Sequence, residues 1–206
     1  DIEEAQALGI LDGVTTNPSL MAKEGITGKA AVNKHYKDIC NIVDGDVSAE
    51  VLSTDYENMI KEGLELAAID NKIVVKIPII KDGIKAIKFL SAKGIRINCT
   101  LIFTSGQALL AAKAGATYVS PFIGRLDDIT RDGMALIEDI AIIFDNYQFK
   151  TQILAASIRH VQHILECARI GADVATCPLK VILGLLNHPL TDSGLAQFIE
   201  DSKKLS

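Results

Sequence analysis

Every residue of Ile73-Val-Val-Lys76-Ile-Pro78-Ile-Ile80 is β-branched except one lysine and one proline. Polar Asn71-Lys72 precedes the run and Lys81-Asp82-Gly83 follows it. A segment this short, apolar and β-branched reads as a strand buried on both faces, the kind that parallel sheets contain. Alternation puts Val74, Lys76 and Pro78 on one face and Val75, Ile77 and Ile79 on the other. Lys76 therefore has no polar companions on its own strand. Burying an ammonium is costly, so a buried lysine tends to give up its proton and become a nucleophilic amine. That is the form that attacks a carbonyl and makes a Schiff base. A lysine that snorkels to water or pairs with a carboxylate explains the same residue without chemistry.

The rest of the chain repeats this pattern. Strands are expected at about 13–16, 46–51, 96–101, 118–122, 152–156 and 173–176, besides the Lys76 run. Between them fall stretches of helical periodicity: 2–8, 28–43, 55–68, 82–94, 105–115, 132–144, 157–168, 179–186 and a final helix at about 191–204. Asp1 and Asp82 are the expected N-caps of the helices that follow them. Asn17-Pro18 is read as a turn that stops regular structure, and Gly124 to Asp128 as a loop. Seven strand-then-helix units without linkers or low-complexity tracts imply a single α/β domain, residues 1–206, with a parallel sheet. Nothing resembles GxGxxG or a P-loop, which disfavours an open dinucleotide-binding sheet. Polar residues instead recur at the C-terminal ends of successive strands, as an (α/β)8 TIM barrel requires. Seven strands, and an opening at Asp1 on a helix start, fit such a barrel with its first strand absent from this chain.

Composition narrows the function. The chain has 206 residues, 49% of them hydrophobic, and a mean hydropathy of +0.26. This apolar surplus points to a homo-oligomer. The net charge is −5 and the pI about 5.4, with no basic patch interleaved with aromatics, so nucleic acid is not an expected partner. No apolar run approaches the ~18 residues that span a membrane, and no signal peptide opens the chain. Cys40, Cys99, Cys167 and Cys177 have neither CxxC nor metal-ligand spacing, so reduced thiols in a cytoplasmic protein are expected and no metal site is.

Inward-facing residues on neighbouring strands give the candidate chemistry. Lys76 would meet Ser48 and Glu50 from the strand before it, and Asn98 and Thr100 from the strand after. An amine, a carboxylate, a hydroxyl and a carboxamide would then converge on a small carbonyl substrate. Glu50 could move protons directly or through a water held by Thr100, and Asn98 could hold substrate hydroxyls. Singly, a Glu50–Lys76 salt bridge and a satisfied strand threonine explain them as well. Ser157 and Arg159 open the loop after a late strand, where barrels often bind phosphate, and Arg125 could add a second guanidinium. Pairing of Arg125 with Asp127 or Asp128 is the structural alternative. His160 and His163, at i and i+3, are expected on a solvated helix face. Cys177 lacks an activating group, and Phe122 would ordinarily be core.

Four ordered motifs carry a resemblance: Gly13-Val-Thr-Thr-Asn-Pro-Ser19, Val74-Val-Lys-Ile-Pro78, Ser120-Pro-Phe-Ile-Gly-Arg125 and Leu154-Ala-Ala-Ser-Ile-Arg159. With them the chain resembles, from end to end, the small transaldolases and the related fructose-6-phosphate aldolases. The resemblance implies an (α/β)8 barrel that needs no cofactor. It implies transfer of a dihydroxyacetone unit between ketose and aldose phosphates of the pentose phosphate pathway, and a pentamer or decamer. By position, Lys76 matches the Schiff-base lysine, and Glu50 and Thr100 the pair that relays protons through a water. Asn17 and Asn98 match residues that orient the dihydroxyacetone hydroxyls, Ser120 lines that pocket, and Arg125, Ser157 and Arg159 match the phosphate site. The family's strand-one aspartate has no counterpart, and Asp1 is not assigned its role. The aldolases carry glutamine at the position of Glu50 and tyrosine at that of Phe122, so both residues here are of the transferase type. An aldolase (a lyase) or a non-catalytic phosphosugar-binding barrel are the alternatives. Deoxyribose-phosphate aldolase is disfavoured, because no extra activating lysine is placed beside Lys76.

Overall fold

The computed structural model describes residues 1–205. Seven strands form one parallel sheet in chain order: β1 (Gly13–Thr15), β2 (Asp46–Glu50), β3 (Ile73–Pro78), β4 (Ile97–Ile102), β5 (Tyr118–Pro121), β6 (Gln152–Ala155) and β7 (Val174–Ala175). Helix α1 (Ile2–Ala7) precedes β1, and α2 (Pro18–Lys23) and α3 (Lys29–Ile42) follow it. Then come α4 (Tyr56–Ala67), α5 (Lys81–Ala92), α6 (Ser105–Ala114), α7 (Ile123–Asp127), α8 (Gly133–Asn146) and α9 (Val161–Ile170). The described chain closes with α10 (Leu179–Leu183), a 3-10 turn (Gly184–Leu186) and α11 (Pro189–Ser202). Parallel neighbours in sequential order, with helices between them, are the topology of an α/β barrel, here with seven strands among the described residues. The sheet curls until its two edges approach. Thr15 Oγ1 of β1 and Thr176 Oγ1, just past β7, lie 2.7 Å apart.

Alternation decides what each strand residue meets. Val47, Ala49, Val75, Ile77, Ile97, Cys99 and Val119 join Ile39, Met59, Ile87, Leu90, Ala111, Ile137 and Ile140 of the helices in one apolar core. Ser48, Lys76, Asn98, Thr100 and Ser120 hold the alternate positions and are buried polar groups. At the strands' N-terminal end, Asp46 takes an ion pair from Arg96 and a hydrogen bond from the Tyr118 hydroxyl (2.9 Å), and Arg96 also donates to the Asn71 carbonyl (2.7 Å). Burial, then the bond to Asp46, push the Tyr118 phenol up to about 12. Charges closed into partnerships at this end fit a role in stability, whereas the opposite end carries the candidate groups Glu50 and Thr100.

Several expectations are corrected. Asn17-Pro18 does not stop structure. Asn17 caps α2, its Oδ1 accepting from Leu20 N–H at 2.9 Å, and Pro18 takes the first helical position. Gly124 to Asp128 is not a loop, because α7 covers most of it. Ile80, not Asp82, caps α5, and Asp82 accepts instead from the Tyr56 N–H of α4 (3.3 Å). Asp1 is the N-cap of α1 but makes no side-chain cap bond. No helix among the described residues is long and apolar enough to cross a membrane. Helix α11 buries none of its residues, and Leu190, Phe198 and Ile199 stand 73%, 73% and 53% exposed.

Gly83 shows how tightly α5 sits on the Lys76 strand. A Cβ there would lie 2.1 Å from the Pro78 carbonyl oxygen. Alanine normally favours a helix over glycine by about 1 kcal/mol. A backbone collision is overpacking that costs about 1–3 kcal/mol, and here the obstacle is not a flexible side-chain tip. A backbone obstacle puts the cost in the upper part of that range, about 2–3 kcal/mol, so Gly83→Ala is expected to lower the unfolding free energy by a net ~1–2 kcal/mol, read as a lower urea midpoint.

Candidate active site

Sheet register places the candidate nucleophile. Glu50 is paired with Lys76 across β2 and β3, and Lys76 with Asn98 across β3 and β4. The Lys76 Nζ lies 2.9 Å from Glu50 Oε2, with side-chain exposures of 6% and 13%. It also donates to the Thr16 carbonyl at 3.0 Å. Thr16 is itself buried and doubly held, its N–H (3.1 Å) and Oγ1–H (2.7 Å) both donating to the Ser48 carbonyl. The amine is thus fixed by a carboxylate and a carbonyl that cannot easily move.

A second chain of bonds orients the carboxamide. Asn98, fully buried, donates from Nδ2 to Ser48 Oγ at 3.1 Å and accepts from Ser120 Oγ–H at 2.7 Å. Both partners are hydroxyls, and together they fix the plane and position of the amide. Thr100 is also fully buried, yet its Oγ1 has no partner among the described residues. A buried polar atom without a partner costs about 1–3 kcal/mol, so one in a native interior calls for a water or a ligand. Just beyond Thr100, Leu101 has φ 61° and the β4–β5 register shifts between Cys99 and Ile102. Such bulges re-aim side chains beside active sites.

The expected anion group lies on two neighbouring segments. Phe122, the N-cap of α7, bridges to Ala156 beyond β6. Its ring meets Phe103 edge-on (centroids 5.9 Å apart), and the Arg125 guanidinium stands 5.0 Å over it. Ser157 is half-buried with φ 62°. Arg159 Nη2 lies 2.7 Å from Asp128 Oδ2. The sequence alternative of Arg125 pairing with Asp127 or Asp128 is not what the fold contains: Asp128 meets Arg159, and Asp127 meets His163.

Asn17 sits at the C-terminal end of β1, its Oδ1 engaged by the α2 cap and its Nδ2 without a hydrogen bond among the described residues. Cys177 is unsuited to nucleophilic work, since burial pushes its thiol up to about 11.

Three groups escaped the sequence reading. Thr16 acts through its backbone carbonyl, which no side-chain pattern reveals. Tyr36 lies in the apolar stripe of α3 with Ile39 and Cys40, and a tyrosine in such a stripe was the available signal. Burial raises its phenol, while hydrogen bonds with the Thr16 side chain and the Glu50 backbone oppose that rise. His163 is not on a solvated face. It is 5% exposed.

The fold and the site together describe a barrel enzyme with its polar groups running along the inner face of the strands to their C-terminal ends. A model of the "Transaldolase/Fructose-6-phosphate aldolase" family matches residues 1–206. A "Probable transaldolase" of Cytophaga hutchinsonii is 71% identical over 206 residues, spanning 100% of this chain and 94% of that protein. One of Phocaeicola vulgatus, also termed "Probable transaldolase", is 68% identical over 205 residues, with 100% and 94% covered. An inosine 5′-monophosphate dehydrogenase structure from Legionella pneumophila superposes with a TM-score of 0.57 at 17% identity, covering 84% of this chain and 59% of that one. That likeness is one of fold alone. The chain belongs to the transaldolase/fructose-6-phosphate aldolase family.

Thr100→Val tests whether the orphaned hydroxyl is catalytic or structural. The isosteric change removes no protein hydrogen bond, so stability in urea is expected to stay within about 1 kcal/mol. Turnover is expected to fall by roughly tenfold or more, measured in a coupled sugar-phosphate assay.

Proposed function

We propose that the protein is a transaldolase. It moves a dihydroxyacetone unit from sedoheptulose 7-phosphate to glyceraldehyde 3-phosphate, giving erythrose 4-phosphate and fructose 6-phosphate. The observation that carries the reading is the buried Lys76 amine, 2.9 Å from a carboxylate, with an unpartnered, fully buried threonine hydroxyl on the neighbouring strand. A salt bridge alone leaves the Thr100 hydroxyl unexplained; a proton relay through a bound water uses all three groups.

Lys76 passes a proton to Glu50 and its lone pair attacks the ketose C2. A proton moves from the new C2–N group to the C2 oxygen; that hydroxyl takes up a second proton, delivered from Glu50 through a water held by Thr100, and leaves as water to give the protonated imine. Cleavage of the C3–C4 bond sends its electron pair into the protonated imine, while the C4 hydroxyl loses its proton through the same water to the Glu50 carboxylate, which the preceding step has freed. The aldose departs and an enamine stays on Lys76. An acceptor aldehyde then adds to the enamine, and the sequence runs in reverse. Asn98 and the free Nδ2 of Asn17 hold the dihydroxyacetone hydroxyls in a pocket lined by Ser120. Arg125, Ser157 and Arg159 receive the phosphate, with Asp128 as the counter-ion that the phosphate displaces. No cofactor enters this cycle.

Phe122 favours transfer over release. Its ring, packed on Phe103 beneath Arg125, has no hydroxyl to protonate the enamine, so the intermediate waits for an acceptor. The resemblance adds a pentamer or decamer, for which the exposed apolar side of α11 is available.

Two outcomes are expected. Borohydride added with fructose 6-phosphate should place the dihydroxyacetone adduct on Lys76, found by peptide mass spectrometry, and Lys76→Ala should abolish both adduct and transfer. An intact, folded enzyme with no adduct at Lys76 would rule the reading out; dihydroxyacetone released without acceptor as fast as transfer would point to the aldolase. Asp128→Asn should lower KM for fructose 6-phosphate by about twofold to fivefold, because exposed ion pairs are worth about 0–1 kcal/mol.

A further inference from the structure

His163 is a buried titratable group that the proposed cycle leaves unused. It lies on α9 with both ring nitrogens engaged. Nδ1 accepts from the Arg159 N–H at 3.2 Å, and Nε2 lies 2.9 Å from Asp127 Oδ2. Accepting at Nδ1 requires the proton to sit on Nε2, which therefore donates to Asp127. Burial, with a further contribution from His160 stacked 3.8 Å away, holds the imidazole below its usual value and so favours this neutral form. Asp127 opposes that shift.

Each end of this bridge leads to a guanidinium. Arg159 is held through its own backbone. Asp127 ends α7, two residues after Arg125, and its other oxygen accepts from the Gly133 N–H (3.0 Å) that begins α8. The two segments also touch directly. Ile123 N–H donates to the Ala156 carbonyl at 3.0 Å, and a Cβ on Gly124 would stand 2.2 Å from the Ser157 carbonyl oxygen and 2.6 Å from Arg159 Nε. The glycine contact presses the segments together on one side, and the imidazole clamps them on the other.

We propose that His163 is the positioning residue of the anion site, setting the separation and orientation of Arg125 and Arg159 by tying the Arg159 backbone to the end of α7. The inference rests on the reading of those arginines as the phosphate site. A phosphate bound by two forks needs both held at one spacing, and each freely moving arginine loses rotamer entropy when it binds. Loosening the clamp costs binding of phosphorylated sugars while leaving the imine chemistry at Lys76 in place.

The test compares fructose 6-phosphate with fructose as donors to unphosphorylated glyceraldehyde, in His163→Ala, His163→Asn, His163→Gln and Arg159→Ala. His163→Ala is expected to raise KM for fructose 6-phosphate, and the inhibition constant of inorganic phosphate, by roughly tenfold, about 1.4 kcal/mol. Its kcat/KM for fructose is expected to fall less than about threefold. Asparagine puts its amide oxygen near the Nδ1 position and keeps only the Arg159 bond, whereas glutamine reaches toward the Nε2 position and keeps only the Asp127 bond, so each is expected to restore part of the affinity and neither all of it. Unchanged KM in folded His163→Ala, an equal loss with both donors, or a wild-type KM in either amide variant overturns the inference. Should the alanine variant fail to fold, the KM values of the two amide variants decide it. If Arg159→Ala raises KM for fructose 6-phosphate and His163→Ala does not, this inference alone falls. If Arg159→Ala does not raise it, the phosphate-site reading falls too.

Discussion

A lysine and a glutamate meet at 2.9 Å in an interior that water barely reaches. As a contribution to stability the pair is a poor choice. Removing each ion from water costs several kcal/mol, whereas two charges 4 Å apart in a protein-like medium attract by about 4 kcal/mol. The two effects nearly cancel, and replacing such a pair by packed apolar residues is often neutral or better. The pair persists because the backbone over-determines it. Glu50 and Lys76 are partners in the β2–β3 ladder, and the Thr16 carbonyl is pinned by two bonds to Ser48. Slipping β3 by one residue would send Lys76 into the helix-packed layer and bring Val75 or Ile77 inward. The apolar outer face of β3 thereby sets the direction in which its one amine points.

Polar groups at the two ends of the strands are treated differently. At the N-terminal end, Asp46, Arg96, Tyr118 and the Asn71 carbonyl engage one another. At the other end, the Thr100 hydroxyl and the Asn17 Nδ2 are left without partners among the described residues. Satisfied buried groups hold a fold together, while unsatisfied ones remain available for something that arrives. The same contrast runs within the site. Asn98 is held at both ends of its amide, so its orientation is set before any substrate is present, which is what preorganisation requires.

The architecture was legible because seven β-branched or apolar runs alternate with helical periodicity, and because alternation along β3 leaves Lys76 no freedom of face. The convergence of Lys76, Glu50, Asn98 and Thr100 followed from the same alternation. What was misread has identifiable causes. Asn-Pro signals a turn, but asparagine is also a good N-cap and proline a good first helical residue, and only tertiary packing around Met21 decides for α2. Asp82 has the chemistry of a cap but is drawn to Tyr56 N–H on a neighbouring helix. His163 looked solvated because its partners, Asp127 and the Arg159 backbone, come from segments whose proximity the local pattern does not encode. Thr16 contributes a carbonyl, which every residue possesses.

Phe122 links the two halves of the proposed site. It stands between the segment of Ser120 and the helix of Arg125, bridges to Ala156 just before Ser157, and carries the Arg125 guanidinium over its face. A cation over an aromatic face is worth about 0.5–1 kcal/mol at an exposed site, enough to bias a flexible arginine without trapping it. The same ring, edge-on to Phe103, carries no polar atom. A hydroxyl here would leave the stacking largely unchanged and, in the proposed cycle, add a proton donor for the enamine. On the proposed mechanism, a single oxygen atom at this position therefore separates release from transfer, and the stacked arginine ties that choice to the grip on phosphate.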